Sequence, residues 1–129
     1  MEWHFKSVGD IYPSAMQGEL MELLRREGAA DSDFASAELI CVELIGNLIR
    51  HAHGPVTIRL DWGGEFPKLS VSDAKRYVAP PVCLPADPLA ESGRGLFIIK
   101  SLARDLSLPG AAEAGSTTCA TLPVRRLVR

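Results

Sequence analysis

Hydrophobic residues recur along this chain first at the spacing of helices and then at the spacing of strands. Two long stretches, after Pro13 and after a cap at Asp31 or Ser32, repeat apolar residues every three or four positions, which predicts two amphipathic helices. A third and shorter stretch of this kind begins at Gly93. Alternation of apolar and polar residues predicts five strands: 3–8, 56–62, 68–72, 105–108 and 117–124. These elements fit an α/β two-layer sandwich, with three helices on one face of a mixed, mostly antiparallel sheet.

Glycines and prolines mark the connections between these elements. Gly63 and Gly64 separate two alternating runs, which predicts a β-hairpin. Residues 74–92 contain four prolines and no periodicity, and a connection of this length is unusual inside a compact domain, so we predict a lid over a binding site. No internal repeat divides the 129 residues, and we expect one domain spanning 1–129.

Composition and charge exclude several classes of protein. A net charge of -2 and a pI near 5.9 provide no field that attracts polyanions, so direct binding of nucleic acid is not expected. The N-terminus lacks the apolar segment of a signal peptide, and no run approaches the roughly 18 apolar residues of a membrane span. We therefore expect a cytoplasmic protein that does not contact a membrane. Three dispersed cysteines argue against a disulfide framework or zinc site: Cys41, Cys83 and Cys119.

The second predicted helix carries a narrow polar stripe. On a helical wheel Glu43, Asn47 and Arg50 lie within about 60° of one another, and the opposite side is apolar. Asn47 is the only asparagine in the chain, and Gly46 beside it costs a helix about 1 kcal/mol relative to alanine. The stripe is either a solvated helix edge or the wall of a ligand site. In a ligand site Asn47 would bind Mg²⁺ and Glu43 would act as a general base.

Two further features are candidates for a phosphate-binding site. Residues 92–96 open the third helix with glycines, so they form either a phosphate cradle or an ordinary turn before a helix. Asp73 ends a predicted strand and is either a turn former or a polar group between the two candidate phosphate elements. The dinucleotide fingerprint lacks its third glycine after Gly95, and Ile99 stands where a P-loop requires glycine, so both of those motifs are excluded. The arginines at the C-terminus are expected to form a solvated tail: Arg125, Arg126 and Arg129.

Four segments taken in order resemble the N, G1, G2 and G3 boxes of the histidine-kinase-like (GHKL) ATPases. They are residues 43–52 (ELIGNLIRHA), 71–73 (VSD), 92–96 (SGRGL) and 115–118 (GSTT). The similarity covers residues 31–123 and is greatest to the stand-alone anti-sigma factor serine/threonine kinases. It implies the Bergerat fold, with ATP bound between the helices and a lid at residues 74–92.

Carried over to this sequence, the resemblance implies a role for each matching residue. Glu43 would be the catalytic general base, Asn47 the Mg²⁺ ligand, and Asp73 the acceptor for the adenine amino group. Either Ser116 or Thr117 would lie near adenine. The remaining nucleotide-binding residues implied by the match are Arg50, Gly93, Arg94, Gly95 and Leu96.

The function implied by the resemblance is that of a protein serine/threonine kinase that uses ATP and Mg²⁺. It would phosphorylate a STAS-domain anti-sigma-factor antagonist, sequester a sigma factor and form a homodimer. The G1 pattern Asp-x-Gly-x-Gly is replaced here by 73–77 (DAKRY), which favours an alternative, a non-catalytic partner-switching module with weak or lost nucleotide binding. A fragment of a sensor histidine kinase is disfavoured, because no phosphoacceptor helix pair precedes the domain.

Overall fold

The computed structural model describes residues 1–73, 94–108 and 116–128, which form three helices and five strands. The helices are α1 (Pro13–Glu27), α2 (Phe34–His51) and α3 (Arg94–Leu102). The strands are β1 (Glu2–Phe5), β2 (Val56–Asp61), β3 (Lys68–Asp73), β4 (Asp105–Ser107) and β5 (Ser116–Thr121). A short 3₁₀ turn at Val8–Asp10 replaces the end of the predicted first strand. The predicted lid at 74–92 lies outside the described residues, as do residues 109–115.

The strands form an open sheet in the order β1-β2-β3-β5-β4, and every described pairing is antiparallel. The predicted hairpin is present, because Leu60 on β2 faces Leu69 on β3 across their connection. The prediction of an α/β two-layer sandwich is therefore confirmed. None of the described helices is long and apolar enough to cross a membrane.

The core lies between the helices and one face of the sheet. Along β2, Val56, Ile58 and Leu60 are buried while the residues between them are not, as expected for a strand covered on one side. All three helices contribute fully buried side chains to this core, and burial of each stabilises the fold by about 1.5–3 kcal/mol. These side chains are Leu20, Leu24, Ile40, Leu44 and Ile99.

The two described cysteines carry free thiols in different surroundings. Cys41 on α2 is buried in this core, and burial, with a smaller contribution from Glu38, raises its pKa to about 12. Cys119 on β5 is half-buried. Cys83 lies outside the described residues. The Cys41 thiol thus remains protonated at neutral pH and packs as a small apolar group.

The N-cap of α2 is Asp33, so the prediction of Asp31 or Ser32 was wrong. The Asp33 carboxylate accepts hydrogen bonds from the backbone N–H of Ser36 at 3.1 Å and from its hydroxyl at 2.7 Å. These bonds hold the pKa of Asp33 below its ordinary value. Asp31 and Ser32 instead bind Arg125, through an ion pair of 2.7 Å and a hydrogen bond from the Arg125 N–H of 3.0 Å.

The C-terminal segment is attached to the body of the domain, and the expectation of a solvated tail is wrong for Arg125 and Arg126. The Arg126 N–H donates to the Glu65 carbonyl at 2.7 Å, and Arg126 forms a β-bridge with Gly28. Arg129 lies outside the described residues. The C-terminal segment thus packs against the connection between α1 and α2.

Gly28 occupies a position at this connection where a side chain does not fit. A Cβ atom there would contact the buried Val124 side chain and would lie 2.6 Å from the Leu24 carbonyl oxygen. We expect Gly28→Ala to lower the free energy of unfolding by about 2–4 kcal/mol, because neither a packed side chain nor a helix carbonyl yields easily. Urea unfolding monitored by circular dichroism measures this change.

Gly18 within α1 provides the matched control, because a Cβ atom there would meet nothing within 4 Å. We expect Gly18→Ala to stabilise the protein by about 0.5–1 kcal/mol through its higher helix propensity. If the two substitutions changed the free energy of unfolding equally, the contacts at Gly28 would not determine the effect of a side chain there.

Candidate functional site

The first turn of α3 lies directly on the polar stripe of α2. Gly95 is buried, and a Cβ atom built on it would lie 2.6 Å from Oε2 of Glu43. The same atom would lie 3.5 Å and 3.6 Å from the amide oxygen and nitrogen of Asn47. Glycine at this position therefore lets the backbone of α3 approach both polar side chains. The structure brings together two features that the sequence placed about fifty residues apart.

Glu43 and Asn47 are half-buried, so the stripe is not a solvated helix edge along its whole length. Arg50, one turn further along α2, is exposed, and its Nη2 donates a hydrogen bond of 2.6 Å to Oδ1 of Asn47. The guanidinium also covers Gly46, since a Cβ atom at Gly46 would lie 3.2 Å from Nη1 of Arg50. The group that approaches this mid-helix glycine in the structure is thus Arg50.

Asp73 at the end of β3 has an unsatisfied carboxylate oxygen. Its Oδ1 atom is buried and has no hydrogen-bond partner within the described residues. A buried acceptor without a partner costs about 1–3 kcal/mol, more for a charged group, and therefore points to a donor that binds there. An N–H group of a ligand base would satisfy this oxygen.

The pairing of β3 with β5 places the residues implied to lie near adenine beside this aspartate. Ser116 is the register partner of Asp73, and Thr117 is the partner of Ser72. Thr117 is exposed, so its hydroxyl is accessible to a ligand. The sheet thus brings the second and fourth predicted boxes to one end of two neighbouring strands.

The remaining predicted site residues lie on or beside α3. The backbone of Arg94 begins the helix, and Leu96 is half-buried and packs against the hydrophobic core. Gly93 and the side chains of Arg94 and Ser116 lie outside the described part of the structure. Leu96 thus helps to seat the first turn of α3 on the core.

The oxygen ligands at this site suit Mg²⁺ that is bound together with a nucleotide better than a metal ion held by protein side chains alone. The described residues contain no group of three or more His, Cys, Asp or Glu side chains that could hold a metal ion. Mg²⁺ prefers oxygen ligands and commonly takes one or two from the protein, with phosphates and water supplying the rest. The amide oxygen of Asn47, beside the Glu43 carboxylate and the start of α3, fits that pattern.

A second concave surface, which the sequence analysis missed, lies between α1 and α2. This groove has a volume of about 370 Å³ and is predominantly apolar. Its lining residues are Pro13, Ser14, Gln17, Val42, Ile45, Gly46, Ile49 and Arg50. Val42 is apolar but lies off the buried side of α2, and its side chain is exposed. An apolar residue outside the apolar face of a helix is the signal in the sequence that could have indicated this groove. Apart from Arg50 the lining carries no charge, so this groove does not resemble a phosphate site.

The chain matches the model of a family described as histidine kinase-like ATPase domain over residues 12–122. The matched range includes all three helices, strands β2 to β5 and every predicted site residue. No curated protein matches the chain.

Proposed function

We propose, since the chain belongs to the histidine kinase-like ATPase domain family, that this ATP-binding domain is a protein serine/threonine kinase of the anti-sigma factor type. The observation that carries the proposal is the contact of the first turn of α3 with Glu43 and Asn47. A phosphate group at the start of α3 would meet backbone N–H groups and the positive end of a helix dipole. In the same place it would meet a carboxylate and a metal-binding amide.

Each described site residue has a distinct part in the proposed reaction. Asp73 would accept a hydrogen bond from the adenine amino group and so orient the nucleotide. Asn47 would hold Mg²⁺, which neutralises charge on the phosphates when it is bound. Glu43 would accept the proton of the acceptor hydroxyl as its oxygen bonds to the γ-phosphorus and the bond to the ADP oxygen breaks. Catalysis would come mainly from positioning and electrostatic stabilisation.

The proposed partners come from the resemblance to anti-sigma factor kinases. They are a STAS-domain anti-sigma-factor antagonist, whose serine or threonine would receive the phosphoryl group, and a sigma factor that the kinase would sequester. Self-association as a homodimer belongs to the same proposal. Because sigma factors act in the cytoplasm, we propose that this protein does so as well.

The second candidate function is a binding module that recognises the same partners without catalysis. The observation that favours it is the sequence 74–77 (AKRY), which supplies none of the glycines of the family's G1 pattern. Glu43 and Asn47, which catalysis needs, are both present and adjacent to α3, and this favours the kinase.

Two measurements test the proposal. Isothermal titration calorimetry with ATP and Mg²⁺ at sub-millimolar protein should detect binding to the wild type. Transfer of label from [γ-³²P]ATP to STAS-domain proteins encoded beside this gene should then be observed. Binding without transfer would support the module instead of the kinase, and absence of ATP binding would contradict the kinase outright.

A further inference from the structure

We propose that Arg50 is an internal cation that competes with the divalent metal for the Oδ1 oxygen of Asn47. The inference rests on the proposed function for its ligand, a magnesium nucleotide, and adds a positioning role for a residue outside the reacting atoms. In the nucleotide-free protein the guanidinium occupies the oxygen that the metal would use. Binding of the metal nucleotide then requires Arg50 to leave Asn47.

The contact at Asn47 is a short, charge-assisted hydrogen bond. The distance of 2.6 Å from Nη2 of Arg50 to Oδ1 is at the short end for a bond from a charged nitrogen. A guanidinium has only donors and keeps its charge at every accessible pH. A second cation bound at the same oxygen would stand a few ångströms from that charge and be repelled by it. Occupation of Oδ1 by Arg50 and by Mg²⁺ is therefore competitive.

The surroundings of Arg50 allow it to be displaced. Within the described residues no carboxylate forms an ion pair with it, so the amide oxygen is its observed polar partner. The side chain is exposed, and it lies over Gly46, where the absence of a side chain makes room for the guanidinium. The hydrogen bond to Asn47 thus keeps the Arg50 guanidinium at Oδ1. Because the side chain is exposed, the guanidinium can also move towards solvent or a phosphate group.

The contact itself can be observed in the nucleotide-free protein. Asn47 is the only asparagine, so labelling with ¹⁵N-asparagine gives a single pair of side-chain amide signals. We expect Arg50→Met to shift these signals, because it removes the donors at nearly constant side-chain length. Arg26→Met, which removes an exposed arginine from α1, is the matched control and should leave them unchanged. An unshifted Asn47 amide in Arg50→Met would overturn the proposal.

A second variant displaces the guanidinium without removing its charge. In Gly46→Ala the new methyl group would lie 3.2 Å from Nη1, closer than ordinary contact, so the flexible end of Arg50 must move. We expect this substitution to shift the Asn47 amide as well, by a smaller amount. No shift in Gly46→Ala would contradict the assigned position of Arg50 over this glycine.

Competition is measured by the effect of Mg²⁺ on nucleotide affinity. For each variant the dissociation constant of ADP is determined by calorimetry with EDTA and with Mg²⁺, and the EDTA value divided by the Mg²⁺ value reports the coupling between metal and nucleotide. A direct contact of Arg50 with phosphate, if present in both conditions, cancels in this ratio. We expect the ratio to rise roughly three- to tenfold in Arg50→Met, because metal binding no longer breaks a charge-assisted hydrogen bond. Gly46→Ala should change in the same direction, and Arg26→Met should match the wild type.

The outcomes separate this inference from the proposed function. An unchanged or lower ratio in Arg50→Met, with ADP still bound, would overturn the competition and leave the nucleotide site intact. Absence of nucleotide binding in the wild type would overturn both.

Discussion

Replacement of Glu43 by glutamine is expected to lower the rate of phosphoryl transfer by roughly 10²- to 10⁴-fold, the contribution of a positioned general base. Glutamine keeps the size of the side chain that lies against Gly95, so the packing of α3 on α2 is retained. ATP affinity should be unchanged or slightly higher, because a negative charge near the phosphates has been removed. Single-turnover transfer from labelled ATP to the antagonist, measured beside calorimetric affinity, separates these two effects.

The matched control for this substitution is Glu38→Gln on the same helix. Glu38 is exposed and lies away from the polar stripe, so the same loss of charge there should not affect transfer. If the Glu43 and Glu38 variants transferred phosphate at the same rate, Glu43 would have no role as a base.

Replacement of Asp73 by alanine is expected to weaken ATP binding roughly a hundredfold, the value of a buried hydrogen bond to a charged acceptor. The same substitution should leave the free energy of unfolding unchanged or increased, since Oδ1 of Asp73 is buried without a partner among the described residues. Weaker ATP binding at an unchanged free energy of unfolding would show that Asp73 binds the ligand and does not stabilise the fold. Isothermal titration calorimetry with ATP measures the affinity, and unfolding in urea measures the free energy of unfolding.

Asp61→Ala at the other end of the β2–β3 ladder serves as the control. Asp61 is exposed, and its ion pair within the described residues is a surface pair with Arg59 at 3.5 Å, so both affinity and stability should stay close to those of the wild type. If Asp73→Ala greatly lowered the free energy of unfolding, and ATP binding fell only as much as the fraction of folded protein, Asp73 would stabilise the fold and would not bind the nucleotide.

Much of the fold was predictable because its elements follow local periodicity. The alternation of Val56, Ile58 and Leu60 reports the covered face of β2, and the helical spacing on α2 reports its apolar side. The cap of α2 was misplaced because Asp31, an equally good capping residue, is taken by Arg125 from the far end of the chain. No local pattern reports a contact between residues so distant in sequence.

The candidate site was predictable in its parts and not in its assembly. Asn47 and Gly95 were each identified from local sequence, but their proximity depends on how α3 packs against α2. The unsatisfied oxygen of Asp73 depends likewise on the pairing of β3 with its neighbours. The hydrogen bond from Arg50 to Asn47 is a contact one helical turn apart, so its proximity follows from the sequence, although its competitive character does not.

We propose that ATP binds where α2, the start of α3 and the end of β3 carry Asn47, Gly95 and Asp73. Titration of the ¹⁵N-labelled protein with ATP and Mg²⁺, followed through its amide signals by NMR, tests this placement. We expect saturable shifts at these three residues, including the single side-chain amide of Asn47. Shifts confined to the apolar groove at Gln17 and Val42, or no shifts at saturating nucleotide, would contradict the claim.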